Sequence, residues 1–331
     1  SKLLLKKLGL VLLAVTIPVL YITSGQLNSS VADLGKIIVN LFHPTFELDS
    51  IIERVILLIR IPRALTAMIC GAGLAACGCA LQGVFANPLI GPQIIGVYSG
   101  AAFGGALGIL ISENSFLTLS FAFLFGLVAM ILVFVVARVQ GYTSRLTLVL
   151  AGIVSSSFFL ALVSMVKFVA DPDDKLPAIT YWLMGSFATA SYTKIQLVGP
   201  LILVALLALI ILGYRIDVLN LGDDHAKSLG LKVERNRWSV LGLVTVICAG
   251  VVSVAGVVGW VGLVVPHIAR HFSKPNHFSL LITSACIGAY YMMIIDYLCR
   301  GLSSMEIPLG VITALIGAPF FAYLLRRRLG S

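Results

Sequence analysis

The chain has 331 residues, 59% of them hydrophobic and only 11% charged, with a mean hydropathy of +1.05. Soluble globular chains carry about 25% charged residues, and no interior of this size encloses so much apolar surface, so much of it must face lipid. Disorder, a disulfide scaffold and a soluble enzyme are excluded. The net charge of +9 follows from Lys and Arg gathered in the cytoplasmic loops of a polytopic membrane protein, and no nucleic-acid partner is expected.

A bilayer crossing takes roughly 20 apolar residues. Residues 3–23 follow Lys2 and surround Lys6 and Lys7; the run is long for a cleaved leader and lacks an A-x-A site, so it is expected to be a retained first helix. Residues 24–58 carry Asp33, Lys36, His43, Glu47, Asp49 and Glu53 and are expected outside the membrane, with short amphipathic helices. Further apolar runs occupy 62–82, 93–111, 117–137, 146–168, 195–214, 239–255, 257–270, 279–298 and 307–325. The run at 257–270 is short for an untilted crossing. This pattern predicts an all-α polytopic membrane protein of about ten transmembrane helices. It forms a single transmembrane unit over residues 1–331, with both termini in the cytoplasm. That orientation places 15 of the 23 Lys and Arg inside. Arg60 and Arg63, at the start of the second span, fall on the outer side against the positive-inside rule.

Two spans carry small residues at every fourth position: Ala67, Gly71, Ala75, Cys79 and Gly83 in one, Gly96, Gly100, Gly104 and Gly108 in the other. Such spacing lays a smooth face along a helix, suited to close helix packing or to lining a pathway for a bulky solute. The six cysteines, Cys70, Cys77, Cys79, Cys248, Cys286 and Cys299, lie in apolar stretches without paired zinc spacing and are expected to be free, buried small hydrophobes.

No G-x-x-x-x-G-K-[ST] motif is present, so this chain has no phosphate-cradling loop for ATP. His267 and His271 are four apart, but no third ligand accompanies them, and no metal site is expected. Ion-coupled transport requires intramembrane carboxylates, and only Asp296 and Glu306 come close, both near one membrane face. Energy is therefore expected from another subunit.

The longest basic interior segment is the loop 215–238. Asp223 and Asp224 start a short helix near its N-terminal dipole, Gly230 stands where a C-terminal cap belongs, and a second short helix carries Lys232 to Arg237. Leu219, Leu221, Leu229 and Leu231 are more apolar than a solvated loop requires, which points to a docking surface for a cytoplasmic partner.

Six runs along almost the whole chain resemble one family. They are R-I-P-R-A-L at 60–65, L-Q-G-V-F-A-N-P-L at 81–89, G-V-Y-S-G-A at 96–101, L-G-D-D-H-A-K-S-L-G at 221–230, G-L-V-V-P-H-I-A-R at 262–270 and E-I-P-L-G-V-I-T-A-L-I-G-A-P-F-F at 306–321. Together they are similar to the permease subunits of type II ATP-binding-cassette importers for iron siderophores, haem and vitamin B12, with relatives for molybdate or tungstate.

The resemblance implies a homodimer around a central pathway in a bacterial or archaeal cytoplasmic membrane. Two cytoplasmic ATPase subunits would hold ATP and Mg, with no cofactor on this chain, and an external substrate-binding protein would deliver cargo. It implies ATPase coupling at Leu219, Leu221, Gly222, Asp223, Asp224, Ala226, Leu229 and Gly230. Binding-protein docking would fall to Arg60, Arg63 and Arg300, although Arg300 precedes Glu306 by six residues where the family pattern usually has seven. Asn87 and Leu89 in one loop, and Tyr142, Thr143 and Ser144 in another, would close the pathway on the cytoplasmic side. Asn87-Pro88 also makes a turn on ordinary grounds. The cargo would be a metal chelate or a metal oxyanion. An ion-coupled secondary transporter is the competing class.

Overall fold

The computed structural model describes residues 15–23, 30–40, 50–138, 143–303 and 305–329, and every regular element among them is helical. Helix α1 (15–23) is followed by α2 (Val31–Asn40), which buries Leu34 and Ile37. The Ser30 amide and hydroxyl both donate to the Asp33 carboxylate at 2.8 Å, closing the first turn of α2 and holding that carboxyl below its ordinary range. Helix α3 (Ser50–Arg54) runs through a π-helical stretch, Val55–Arg60, into α4 (Ile61–Val84).

A 3₁₀ turn at Pro92–Ile95 then leads into α5 (Val97–Ile111), followed by α6 (Ser115–Ala137), α7 (Arg145–Val169) and α8 (Lys175–Met184). Helices α9 (Tyr192–Ile211), α10 (Gly213–Asn220), α11 (Asp223–Ser228) and α12 (Val233–Ala255) come next. The chain closes with α13 (Val261–Ala269), α14 (His277–Gly301) and α15 (Leu309–Leu329).

Six of these rods, Ile51–Val84, α6, α7, α9, α12 and α14, are long and apolar enough to cross a bilayer, and α5 and Leu309–Leu324 are shorter apolar helices. Two expected spans are broken. The run at 257–270 opens on a non-helical segment over 256–260, turned at Gly256 (φ +71°) and Trp260 (φ +69°), followed by α13, whose nine residues reach about 14 Å, less than half of a hydrocarbon core. The run at 93–111 begins with the 3₁₀ turn, and only α5 is continuous helix. Unwound backbone is tolerated at membrane depth only where protein or a water-filled cavity receives its polar groups. Here the two breaks meet: Pro92 packs on Gly262, and Gln93 lies against Gly259.

The apolar core centres on α4, which is buried almost all round against α9, α12, α13 and α14. The small-residue stripes are packing faces. A Cβ on Gly71 would fall on the Gly288 carbonyl of α14, and one on Gly288 would meet the Gly71 carbonyl. Along α5, Gly100, Gly104 and Gly108 receive the backbone of α6 at Phe125, Phe121 and Thr118. All six cysteines are free; five are buried, and Cys286 on α14 is exposed, unlike the expectation for it.

The Gly71–Gly288 contact carries a prediction. Gly71→Val drives apart backbones that touch, and overpacking of this kind costs about 1–3 kcal/mol. A lower unfolding temperature of the detergent-purified chain is expected, whereas Gly242→Ala, which adds a methyl where nothing lies within 4 Å, leaves it unchanged.

Candidate functional site: a coupling surface and two polar clusters

Polar residues gather at two ends of the bundle. The first cluster joins the end of α1, the start of α4 and the end of α14. Asp296 lies at its centre, 1% exposed, and accepts from Arg63 at 2.8 and 2.9 Å and from the Tyr21 hydroxyl at 2.5 Å, with the Arg300 Nε at 3.3 Å. The Arg63 guanidinium also donates to both oxygens of Glu306, at 2.7 and 3.0 Å. Arg300 stacks over the Tyr21 ring, and Arg60 donates to the Ile22 carbonyl at 2.7 Å. A buried carboxylate is stable only with such partners.

Arg60 and Arg63 are therefore buried side chains already engaged within the chain, where an open docking surface calls for exposed cations. Glu306 is the more accessible partner of Arg63. Asp296, one of the two carboxylates that the sequence offers for ion coupling, is held between two guanidiniums.

The second cluster surrounds α11. Gly222 turns the chain at φ +105° and Gly230 at φ +80°, both with open space at the Cβ position, so these glycines serve backbone conformation alone. The residues expected to couple to an ATPase fall into two sets. Leu219 and Ala226 point inward and are buried. Leu221 and Leu229 are 59% and 65% exposed, and Asp224 is exposed beside them. The second short helix expected at 232–237 is instead the first turns of α12, which continues unbroken to Ala255, so α11 sits directly on a long helix.

What fastens α11 there is Arg237, whose side chain is fully buried. Its Nη2 donates to Asp223 at 2.6 Å and its Nη1 to the Thr143 carbonyl at 2.5 Å, with Glu234 at 3.6 Å. The Thr143 amide donates to Glu234 at 2.9 Å, and Arg145 Nη2 donates to the Leu219 carbonyl at 2.7 Å. In sequence, Arg145 and Arg237 count only as basic loop residues. The one available signal is the Glu234–Arg237 spacing of three, which places opposite charges on one helical face.

The expected gate residues divide between two places. Tyr142 lies outside the described residues. Thr143 joins the Arg237 cluster, and Ser144 caps α7 by accepting from the Thr147 amide at 3.0 Å. Asn87 Oδ1 accepts from the Leu89 amide at 3.0 Å, the local turn expected before Pro88. Both Asn87 and Leu89 border an open cavity of about 880 Å³ that also receives His267, Arg270, His271 and Lys274. Arg270 donates to Gln82 at 2.7 Å, and Asp217 accepts from the backbone amide of His277. No group of three metal-ligating side chains occurs among the described residues.

The profile of the FecCD transport family matches residues 11–327. The chain belongs to this family. It is 41% identical over 316 residues to the molybdate import system permease protein MolB of Haemophilus influenzae, covering 96% of this chain and 94% of that protein. The cobalamin import system permease protein BtuC of Halobacterium salinarum is 36% identical over 82% of this chain and 73% of its own length. A solved structure described as an inward-facing conformation of a candidate metal-chelate type ABC transporter superposes with a TM-score of 0.86 at 39% identity, covering 97% of this chain and 98% of that one. As a FecCD protein, this chain is the permease subunit of an ABC importer and is not itself the ATPase.

The Asp296 cluster yields a second prediction. Asp296→Asn leaves Arg63 and Arg300 short of a buried counter-charge, and breaking a buried pair by removing one partner costs about 3–5 kcal/mol. Thermal unfolding in detergent is expected well below that of the parent, with Glu306→Gln, the more exposed partner, giving the smaller drop.

Proposed function

We propose that this permease carries a metal oxyanion of the molybdate or tungstate kind, or a metal chelate such as an iron siderophore, haem or cobalamin. It works as a homodimer around a shared pathway. Two ATPase subunits binding ATP and Mg seat on the surface that includes Leu221, Asp224 and Leu229, and an external binding protein docks at the opposite end. Both termini and α11 face the cytoplasm of a bacterial or archaeal cell.

The observation that carries this reading is the α11 surface. Two leucines more than half exposed stand on a polar element held by internal ion pairs, an arrangement suited to an apolar contact with a polar rim. Asp296, pinned by Arg63 and Arg300, speaks against an ion-coupled carrier. At the opposite end, acidic groups of a binding protein must compete with Asp296 and Glu306 for Arg63, so docking there involves exchange of partners as well as attraction.

The test is uptake in membranes containing the whole transporter. Molybdate, tungstate, ferric siderophores, haem and cobalamin are offered to the external binding protein encoded with this permease, and uptake of whichever binds is followed with and without ATP. Uptake that stops on ATP depletion while the ion gradient is held is expected. Uptake that persists under those conditions, or a permease that purifies without any ATPase, overturns the reading.

Leu229→Asp supplies a third prediction: loss of a contact anchor commonly costs more than 1 kcal/mol, so ATPase retention in a pull-down is expected to fall roughly fivefold or more. Lys227→Ala, on the same short helix, is expected to change it little.

A further inference from the structure

We propose that Arg237 is the positioning residue that passes movement of α11 to the start of α7, and that without its forked contact ATP hydrolysis continues while transport fails. The proposal rests on the ATPase-coupling reading above. Covalently, α11 is continuous with α10 and α12 through short turns, so a push on α11 reaches those helices along the backbone. Helix α7 has no such link. It is separated from α11 in sequence by α8, α9 and α10, and its body packs on α5 and α6. A noncovalent connection has to move it.

The structure supplies that connection at the head of α7. The Arg237 fork spans two elements at once, with one nitrogen on the Asp223 carboxylate of α11 and the other on the Thr143 carbonyl that leads into α7. Glu234 closes the ring, accepting from the Thr143 amide while lying 3.6 Å from Arg237. Arg145, in the first turn of α7, holds the Leu219 carbonyl and comes within 3.9 Å of Asp223.

These charges and hydrogen bonds bracket the 143–145 segment from both sides. The Arg237 side chain is fully buried and Asp223 is 16% exposed, so the central pair is little screened by solvent. Interactions of this kind resist sliding and therefore transmit displacement. The planar guanidinium is essential to the argument: a lysine ammonium is a single point and cannot make the same two-pronged contact.

Arg237→Lys keeps the charge and loses the fork. The experiment uses the complete transporter, permease with its own ATPase subunits and binding protein, in proteoliposomes, and measures ATP hydrolysis and cargo uptake on the same preparation. ATP hydrolysis within about twofold of the parent, with uptake per ATP reduced at least fivefold, is expected. Uptake per ATP equal to the parent overturns the proposal, including when the unfolding temperature falls, because a purely structural ion pair alters stability without altering the ratio.

If Arg237→Lys does not assemble, Glu234→Gln decides. It leaves Arg237 in place and removes the charge from the acceptor of the Thr143 amide. Faster hydrogen exchange of that amide together with a two- to threefold lower uptake per ATP supports the proposal; faster exchange with an unchanged ratio overturns it. A parent chain that copurifies with no ATPase would instead defeat the coupling reading, an outcome visible before either variant is compared.

Discussion

Hydrocarbon offers no partner to a polar group, so every charge and unwound backbone segment of this bundle has to be satisfied within the protein. The organisation of the molecule follows from that constraint. Asp296, almost wholly buried, is accommodated because α1, α4 and the C-terminal end of α14 bring a phenol and two guanidiniums to it. The non-helical backbone at 256–260 lies against the other break, around Pro92 and Gln93. Between these polar ends the helices approach through glycine, and α4 sinks into the middle of the bundle.

The same constraint separates holding from acting. Near the Asp296 end, ionic contacts join helices that pack together along much of their length, so they mainly set register and orientation. Near α11, contacts of the same chemistry join elements distant in sequence: a six-residue helix, the head of α7 and the carbonyl closing α10. Ion pairs stabilise both ends, and at the second they bridge α11, α12 and the segment leading into α7. Leu221 and Leu229 face outward and Leu219 and Ala226 inward, so the apolar residues of one short loop divide between two surroundings.

Much of the plan is legible in the chain as written. Hydropathy marks α4, α6, α7, α9, α12 and α14, because crossing helices need long uninterrupted apolar runs. The four-residue spacing of Gly71 and Ala75, and of Gly100, Gly104 and Gly108, marks faces that meet other backbones. Gly222 and Gly230 bracket α11 as the turn chemistry requires. What misleads is equally physical. Val257, Val258, Gly259 and Trp260 are as apolar as any crossing helix, and nothing local shows that their backbone is not helical; whether a break is allowed depends on which neighbour receives its polar groups. Arg60 and Arg63 stand out by charge, yet charge alone does not tell an open cation from one already paired.

Amino-acid order by itself determined that the protein is helical and lipid-facing, that it carries no P-loop motif, where its longest apolar rods run and that a short helix starts at Asp223 ahead of the glycine at 230. These depend on composition and on periodicities within a turn or two of helix. Only the tertiary structure decided that Asp296 meets Arg63 across 233 positions, that Arg237 meets Thr143 across 94, and that the run after Gly256 opens with four non-helical residues. Such pairings depend on how whole helices pack, and no local pattern of residues encodes the partner.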